Sequence, residues 1–159
     1  MLEREETYYL FKHPTLAPLF RLAHWAYRSP SSLLVSSDGI PFGDIISAEG
    51  VKQGDVLAPL LFSLSVQDYF AECLRDVPDV RGVAIFDDFN LVGHPTSVLN
   101  VYDRLSQVIR PGGLQLRPDK CKVLWPHIAP ELDAAILKRG LSLVYGAMPV
   151  LGGIVGLLN

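Results

Sequence analysis

The longest apolar pattern in the chain runs from Leu57 to Leu74, and it limits the fold more than any other feature. Its apolar residues recur at the three- and four-residue spacing of a helix face, and others widen the stripe: Leu57, Leu60, Leu61, Leu64, Ala71 and Leu74, with Phe62, Val66, Tyr69 and Phe70 beside them. Because so broad an apolar surface must be covered by other elements, the pattern predicts a long, deeply buried helix. Pro59 is compatible with this helix only in or near its first turn.

Shorter helical and strand patterns alternate along the rest of the chain. Helical spacing predicts further helices over residues 16–27, 97–109 and 129–139. Asp38 and Gly39 lie between two apolar runs, which is a strong signal for a hairpin. Three other segments predict strands: 80–93 as two strands joined across Asp87 and Asp88, 113–125 as a strand, a turn and a second strand, and 150–156 as one short strand. These elements predict an α+β fold in one domain spanning residues 1–159, an antiparallel sheet with helices packed on one face.

Composition describes an ordered chain without a strongly basic character. Of 159 residues, 49% are apolar and 19% charged, which excludes intrinsic disorder. Residues 1–80 carry six Lys or Arg against eleven Asp or Glu, and residues 81–159 carry eight against six. Charge alone therefore argues against a dedicated nucleic-acid binder. No apolar run reaches the ~18 residues of a membrane span, and the acidic start is unlike a signal peptide, so we expect an intracellular protein, cytoplasmic or nuclear.

The adjacent acids Asp87 and Asp88 are the most informative local feature. Two neighbouring carboxylates repel each other, and acidic residues weaken strands, so an apolar hairpin gains nothing from them without turn geometry or a bound cation. One interpretation is a solvated turn, because Asp is a favoured turn residue. The other is a pair of oxygen ligands for Mg²⁺, which proteins hold with one or two carboxylates plus substrate phosphates.

Four segments in a fixed order favour the second interpretation: GVKQGDVLAPLLF (50–62), IFDDFNLVG (85–93), GLQLRPDKCKVLW (113–125) and VLGGIVG (150–156). Together they resemble the palm domain of reverse transcriptases, most closely that of non-LTR retrotransposons. That family carries a G-V-x-Q-G-D-P-L segment, an aromatic-x-Asp-Asp hairpin, a G-L-x-L-N-x-x-K segment and a short L-G strand. The resemblance covers about residues 30–156 and implies a polymerase-palm-like fold and RNA-directed DNA polymerase activity.

The resemblance also implies roles for individual residues. Asp87 and Asp88 would hold Mg²⁺ or Mn²⁺, with Asp87 the better candidate to bridge two metal ions, and Lys120 would lie near the departing pyrophosphate. The residues implied to border the incoming nucleotide and the template are Gly50, Gln53, Gly54 and Asp55. The implied partners are an RNA template, a DNA primer and a deoxynucleoside triphosphate.

The chain also departs from the family pattern. A further essential Asp precedes the first palm helix in the family, whereas Glu3, Glu5 and Glu6 lie in no matching motif. Val56 stands where the family has proline, and Ile85 stands where it has Tyr or Phe. No basic N-terminal region precedes the motifs, and nothing resembling fingers or a thumb surrounds them. We therefore expect a palm fragment that is inactive alone and binds nucleic acid weakly.

Two alternatives remain beside the polymerase palm. The first is a non-catalytic, polymerase-derived module for interaction or assembly. The second, an RNA-directed RNA polymerase palm, is disfavoured because Phe86 stands where that family has glycine before Asp-Asp. The apolar segment MPVLGGIVGLLN (148–159) would lie uncovered, so we also expect self-association into a homodimer.

Overall fold

The computed structural model describes residues 14–125 and 127–156. The described residues form four α-helices and eight strands. The helices are α1 (Phe20–Tyr27), α2 (Ala58–Leu74), α3 (Pro95–Val108) and α4 (Pro130–Lys138). The strands are β1 (Ser31–Ser37), β2 (Ile40–Ser47), β3 (Val80–Ile85), β4 (Asp88–Gly93), β5 (Lys122–Leu124), β6 (Ser142–Val144), β7 (Ala147–Val150) and β8 (Gly153–Gly156).

The strands pair two by two in an α+β arrangement, as predicted, and helices pack against the β3–β4 and β5–β6 pairs. Three pairs are antiparallel hairpins, β1–β2, β3–β4 and β7–β8, whereas β5 and β6 pair in parallel across α4. The segment 150–156 belongs to the β7–β8 hairpin rather than to one strand. Asp38 and Gly39 connect β1 to β2 with φ angles of 52° and 80°, the two positive values that a tight hairpin turn requires.

The helix α2 joins two of the three apolar clusters. Its first half packs Leu61 and Leu64 on Ala23 and Tyr27 of α1. Its second half lies in a cluster with the β3–β4 hairpin and α3, where Cys73 is fully buried. Ala71, expected in the buried stripe, is exposed. The expected position of Pro59 in the first turn is confirmed, because α2 begins at Ala58.

A third apolar cluster joins the other side of α3 to α4 and to the parallel strands, around Leu99, Ile136 and Leu141. Polar contacts support the same packing. Arg139 donates Nε to Asp103 Oδ1 at 2.8 Å and Nη2 to Oδ2 at 2.6 Å. This two-point contact ties the end of α4 to α3. No helix among the described residues is long and apolar enough to cross a membrane.

Candidate metal and nucleotide site

The two adjacent carboxylates lie at the tip of the β3–β4 hairpin. The connecting residues are Phe86 and Asp87, and Asp88 is the first residue of β4, paired with Ile85. The predicted junction across Asp87 and Asp88 is therefore wrong by one residue. Both acids are exposed. Phe86 has a φ of 54°, a conformation that L-residues seldom adopt.

Packing beneath the hairpin explains this register. Ala84 and Phe89 are directly paired and share the face toward α2, where the ring of Phe89 stacks on Phe70 with centroids 4.1 Å apart. A turn one residue later would pair Phe89 with Phe86 instead of Ala84, and this two-residue slip along β3 would move Phe89 away from Phe70. The stack of Phe89 on Phe70 thus favours the turn at Phe86 and Asp87.

Gly82 allows the close approach of hairpin and helix. A Cβ atom at this position would lie 2.7 Å from Leu74 Cδ1 and 2.8 Å from two carbons of the Phe89 ring. These contacts also give the direction of the hairpin. Gly82 lies against Leu74, and Phe89 lies against Phe70, so β3 runs back along α2 toward the start of that helix.

The segment 50–55 forms the connection that leads into α2, as its glycines predict. Asp55 N donates to Lys52 O at 3.1 Å and closes a turn with Gln53 and Gly54 at its apex. Gly54 has a φ of 85°, the positive value that a type II turn needs at its third residue. Gln53 and Gly54 are exposed. Gly50 also has a positive φ, 64°, with open space where a Cβ would be.

The two ends of this turn are anchored. Asp55 Oδ1 accepts a hydrogen bond from Leu57 N at 2.8 Å, which satisfies a backbone donor just before α2. Lys52 donates Nζ to Ala26 O at 2.7 Å, and its backbone N donates to Tyr27 Oη at 3.2 Å. Its Nζ also lies 5.2 Å from the centroid of the Tyr27 ring. Lys52 therefore holds the turn on α1 and leaves Gln53 at the apex facing solvent.

Sequence reasoning missed Lys52, which occupies the variable position of the G-V-x-Q-G-D pattern. Its partners Ala26 and Tyr27 lie 26 and 25 residues earlier, so no local pattern signals the contact. The anchoring role of Asp55 does have a sequence signal, an acidic residue just before an apolar helix.

Lys120 lies in a different setting from the one predicted. Residues 114–117 form no strand, and Pro118–Lys120 is a short 3₁₀ helix in which Lys120 N donates to Arg117 O at 2.9 Å. The strand–turn–strand prediction is therefore wrong in its first half. Lys120 therefore lies in the turn that precedes β5 and not in a strand. Pro118 explains the difference, since proline has no N–H and favours the first turn of a helix.

An ion pair lies beside Lys120. Arg117 donates Nε to Asp119 Oδ1 at 3.0 Å and Nη2 to Oδ2 at 2.8 Å, and the hydrogen-bonded guanidinium lowers the pKa of the Asp119 carboxyl. Lys120 itself is exposed. The principal contacts of this turn are with β6, whereas the β3–β4 hairpin packs on α2 and α3.

The donor chemistry of the hairpin tip fits a hard divalent cation. Asp87 and Asp88 provide carboxylate oxygens, the ligand type that Mg²⁺ prefers, and magnesium sites commonly use only one or two protein carboxylates with substrate phosphates and water. Within residues 14–125 and 127–156, no group of three or more His, Cys, Asp or Glu is arranged to hold a metal ion. Glu3, Glu5 and Glu6 lie outside the described residues.

A cleft of about 410 Å³ lies elsewhere, between α3 and α4. Thr96, Asn100, Glu131 and Arg139 supply its polar lining, and Leu99 and Leu132 are among its apolar residues. None of the residues that the sequence predicts for the metal or nucleotide site lines this cleft. The predicted residues therefore divide between the hairpin tip, the turn before α2 and the turn before β5.

Comparison with known proteins gives one relevant similarity. The chain is 27% identical, over 110 residues, to the retrotransposable element SLACS 132 kDa protein of Trypanosoma brucei gambiense. The similar region covers 69% of this chain and 9% of that protein, so the chain spans a small part of its relative. No protein-family model matches the chain, and no solved structure matches it. The similarity supports a retrotransposon-related origin for the chain.

Proposed function

We propose that the chain is the palm of a reverse-transcriptase-type nucleotidyltransferase, acting on an RNA template, a DNA primer and a deoxynucleoside triphosphate within a larger protein. The observation that carries the proposal is the exposed pair Asp87 and Asp88 at the tip of a hairpin anchored on α2. The four ordered motifs and the similarity to a retroelement protein support the same proposal.

The helix α2 adjoins both elements of the proposed site. The turn at Gln53 leads directly into α2, and the hairpin that carries Asp87 packs on the second half of the same helix. The helix spans 17 residues, from Ala58 to Leu74. That length is about 25 Å at the helical rise of 1.5 Å per residue. Since β3 runs back along α2, the hairpin tip is directed toward the end of the helix that follows the Gln53 turn.

The residues of the proposed site would have different roles in nucleotide transfer, which follow from their side-chain chemistry. Asp87 and Asp88 would hold Mg²⁺ or Mn²⁺, which when bound stabilises the charge that develops during phosphoryl transfer. The exposed Gln53 amide has both donors and an acceptor, which suits contact with a base or a template sugar. Lys120 would bring an ammonium toward the leaving pyrophosphate once the rest of the enzyme and the nucleic acid are in place.

The proposal is tested by measuring whether the chain binds a divalent metal ion in the presence of a nucleotide. Titrating Mn²⁺ into the full chain with a deoxynucleoside triphosphate, and following free Mn²⁺ by electron paramagnetic resonance, measures sites directly. We expect Asp87→Asn combined with Asp88→Asn to remove binding above that of the nucleotide alone. Asp38→Asn is the matched control, because Asp38 is also an exposed acid in a hairpin turn. Equal losses in both variants, or no protein-dependent binding, would refute the proposed metal site.

A non-catalytic interaction module is the second candidate, and the exposed apolar residues of the β1–β2 hairpin favour it. Primer extension on an RNA template with Mg²⁺ addresses activity. If the chain is a palm that needs further domains, it extends primers barely or not at all. Robust synthesis that disappears in Asp87→Asn would show that the chain is active alone, and it would exclude the module.

A further inference from the structure

The β1–β2 hairpin exposes apolar side chains on both faces. Six of its large apolar residues are more than half exposed: Leu33, Leu34, Ile40, Phe42, Ile45 and Ile46. Directly paired residues share a face, so Leu33 and Ile45 lie on one side and Leu34 lies on the other. A group of exposed apolar side chains on one hairpin is typical of an interaction site.

The two edges of this hairpin differ in how well they resist pairing with another strand. On β2, Pro41 lacks an N–H, and the register shifts so that Phe42 is an extra, bulged residue between Pro41 and Gly43. Proline and bulges are the features that protect sheet edges. The β1 strand contains neither proline nor charge, and among the described residues it pairs with β2 alone. The free edge of β1 is therefore the edge that can pair with another strand.

The sequence of β1 identifies what fits that edge. Ser31–Ser37 reads SSLLVSS, which is nearly the same in both directions about Leu34. We propose that β1 pairs antiparallel with β1 of a second copy of the chain, about a two-fold axis through Leu34. Ser31 then lies opposite the second copy's Ser37, and Leu33 opposite its Val35. Such self-complementarity is what a symmetric dimer interface requires.

This pairing also explains why assembly would stop at two copies. The two hairpins form one four-stranded sheet in the order β2, β1, β1, β2, with Leu34 facing its own copy across the axis. The outer edges of that sheet are the β2 strands, which carry Pro41 and the bulge at Phe42. The proposal accordingly predicts a closed dimer rather than a fibre.

Analytical ultracentrifugation of variants with charges in β1 tests the proposed dimer interface, because it measures the dimer dissociation constant. In L33K/V35K, each lysine would face a lysine of the second copy, so we expect dimer dissociation constants to rise about 100-fold or more. I40K/I45K is the matched control, since Ile40 and Ile45 lie on the same hairpin face but on β2. This control should retain the dimer. A wild-type chain that stays monomeric at all concentrations, or L33K/V35K that dimerises as well as the wild type, overturns the proposal.

A crosslinking experiment keeps the proposal testable if L33K/V35K fails to fold. Leu34 is the one β1 position that meets itself across the axis, so L34C should crosslink rapidly with a short bismaleimide in a Cys121→Ser background. Cys73 is fully buried and does not compete. I40C should crosslink slowly. Equal crosslinking of L34C and I40C, or a dimer broken by substitutions in β7–β8 instead, overturns the two-fold axis at Leu34.

Discussion

Phe89 of β4 stacks on Phe70 of α2 with ring centroids 4.1 Å apart and ring planes inclined by 10°. This contact couples the hairpin tip to the long helix, because Phe89 lies one residue after Asp88. Stacked aromatic pairs contribute about 0.5–1.5 kcal/mol beyond the burial of their surface. The position of the candidate metal ligands thus depends on apolar packing beneath them.

Gly82→Ala should weaken this packing. The added Cβ would lie within 2.8 Å of the Phe89 ring, so the ring or the strand must move. Overpacking of this kind costs about 1–3 kcal/mol of unfolding free energy. Gly43→Ala is the control, because no atom lies within 4 Å of its added Cβ. Urea unfolding of both variants measures the difference. Equal stability of the two variants would contradict the close approach.

Phe86→Gly should stabilise the chain, although it removes a large side chain. Phe86 has a φ of 54° and is 55% exposed, so it carries the strain of the turn with little burial in return. Relief of a left-handed conformation is worth about 1–2 kcal/mol, less the extra chain entropy of glycine. We expect a net gain of about 0.5–1 kcal/mol by urea unfolding. Phe86→Ala retains Cβ and should show no gain; a gain equal to that of glycine would argue against backbone strain.

Lys52→Met should loosen the turn at Gln53. The variant loses the bond from Nζ to Ala26 O and the contact with the Tyr27 ring, which together are worth about 1–2 kcal/mol. Amide hydrogen exchange should accelerate at Gln53 and Gly54 before it does at the centre of α2. Lys122→Met, at an exposed strand position, should change neither the stability nor the amide exchange at Gln53 and Gly54. Unchanged exchange at Gln53 in Lys52→Met would show that the turn is held by other contacts.

Cys73 should make stability depend on pH under alkaline conditions. Burial raises the pKa of the Cys73 thiol from its ordinary value of 9.0 to about 11. The folded state therefore binds the proton more tightly than the unfolded state does. The thiol's contribution is fully present below pH 9 and is lost as the pH rises toward 11. Unfolding at several pH values should show a smaller alkaline decline for Cys73→Ala, whereas parallel curves would exclude this origin.

Local sequence chemistry predicts several elements well. The apolar stripe predicts α2, the Asp38–Gly39 pair predicts the β1–β2 hairpin, and the glycines of residues 50–55 predict the turn before α2. Each of these signals comes from residues within a few positions of one another. The candidate carboxylates Asp87 and Asp88 are also predicted at a hairpin connection, because acidic residues interrupt two apolar runs there.

Contacts between distant residues decide what the sequence does not predict. The turn lies at Phe86 because Phe89 must reach Phe70, which is 19 residues away in the chain. The strand expected over 114–117 does not form, while β5 pairs in parallel with β6 across α4. Lys52 is anchored by residues of α1. In each case the partner is supplied by tertiary packing, and a local pattern carries no information about it.

Residue-resolved Mn²⁺ broadening in nuclear magnetic resonance spectra tests the proposed site most directly. With a deoxynucleoside triphosphate present, we predict that substoichiometric Mn²⁺ first broadens the amide signals of residues 85–89, then those of the turn at Gln53 and Gly54. Asp87→Asn combined with Asp88→Asn should abolish this order, and Asp38→Asn should preserve it. Broadening spread evenly over exposed acids, with Asp38 and Asp44 affected as strongly as Asp87, would contradict a metal site at the hairpin tip.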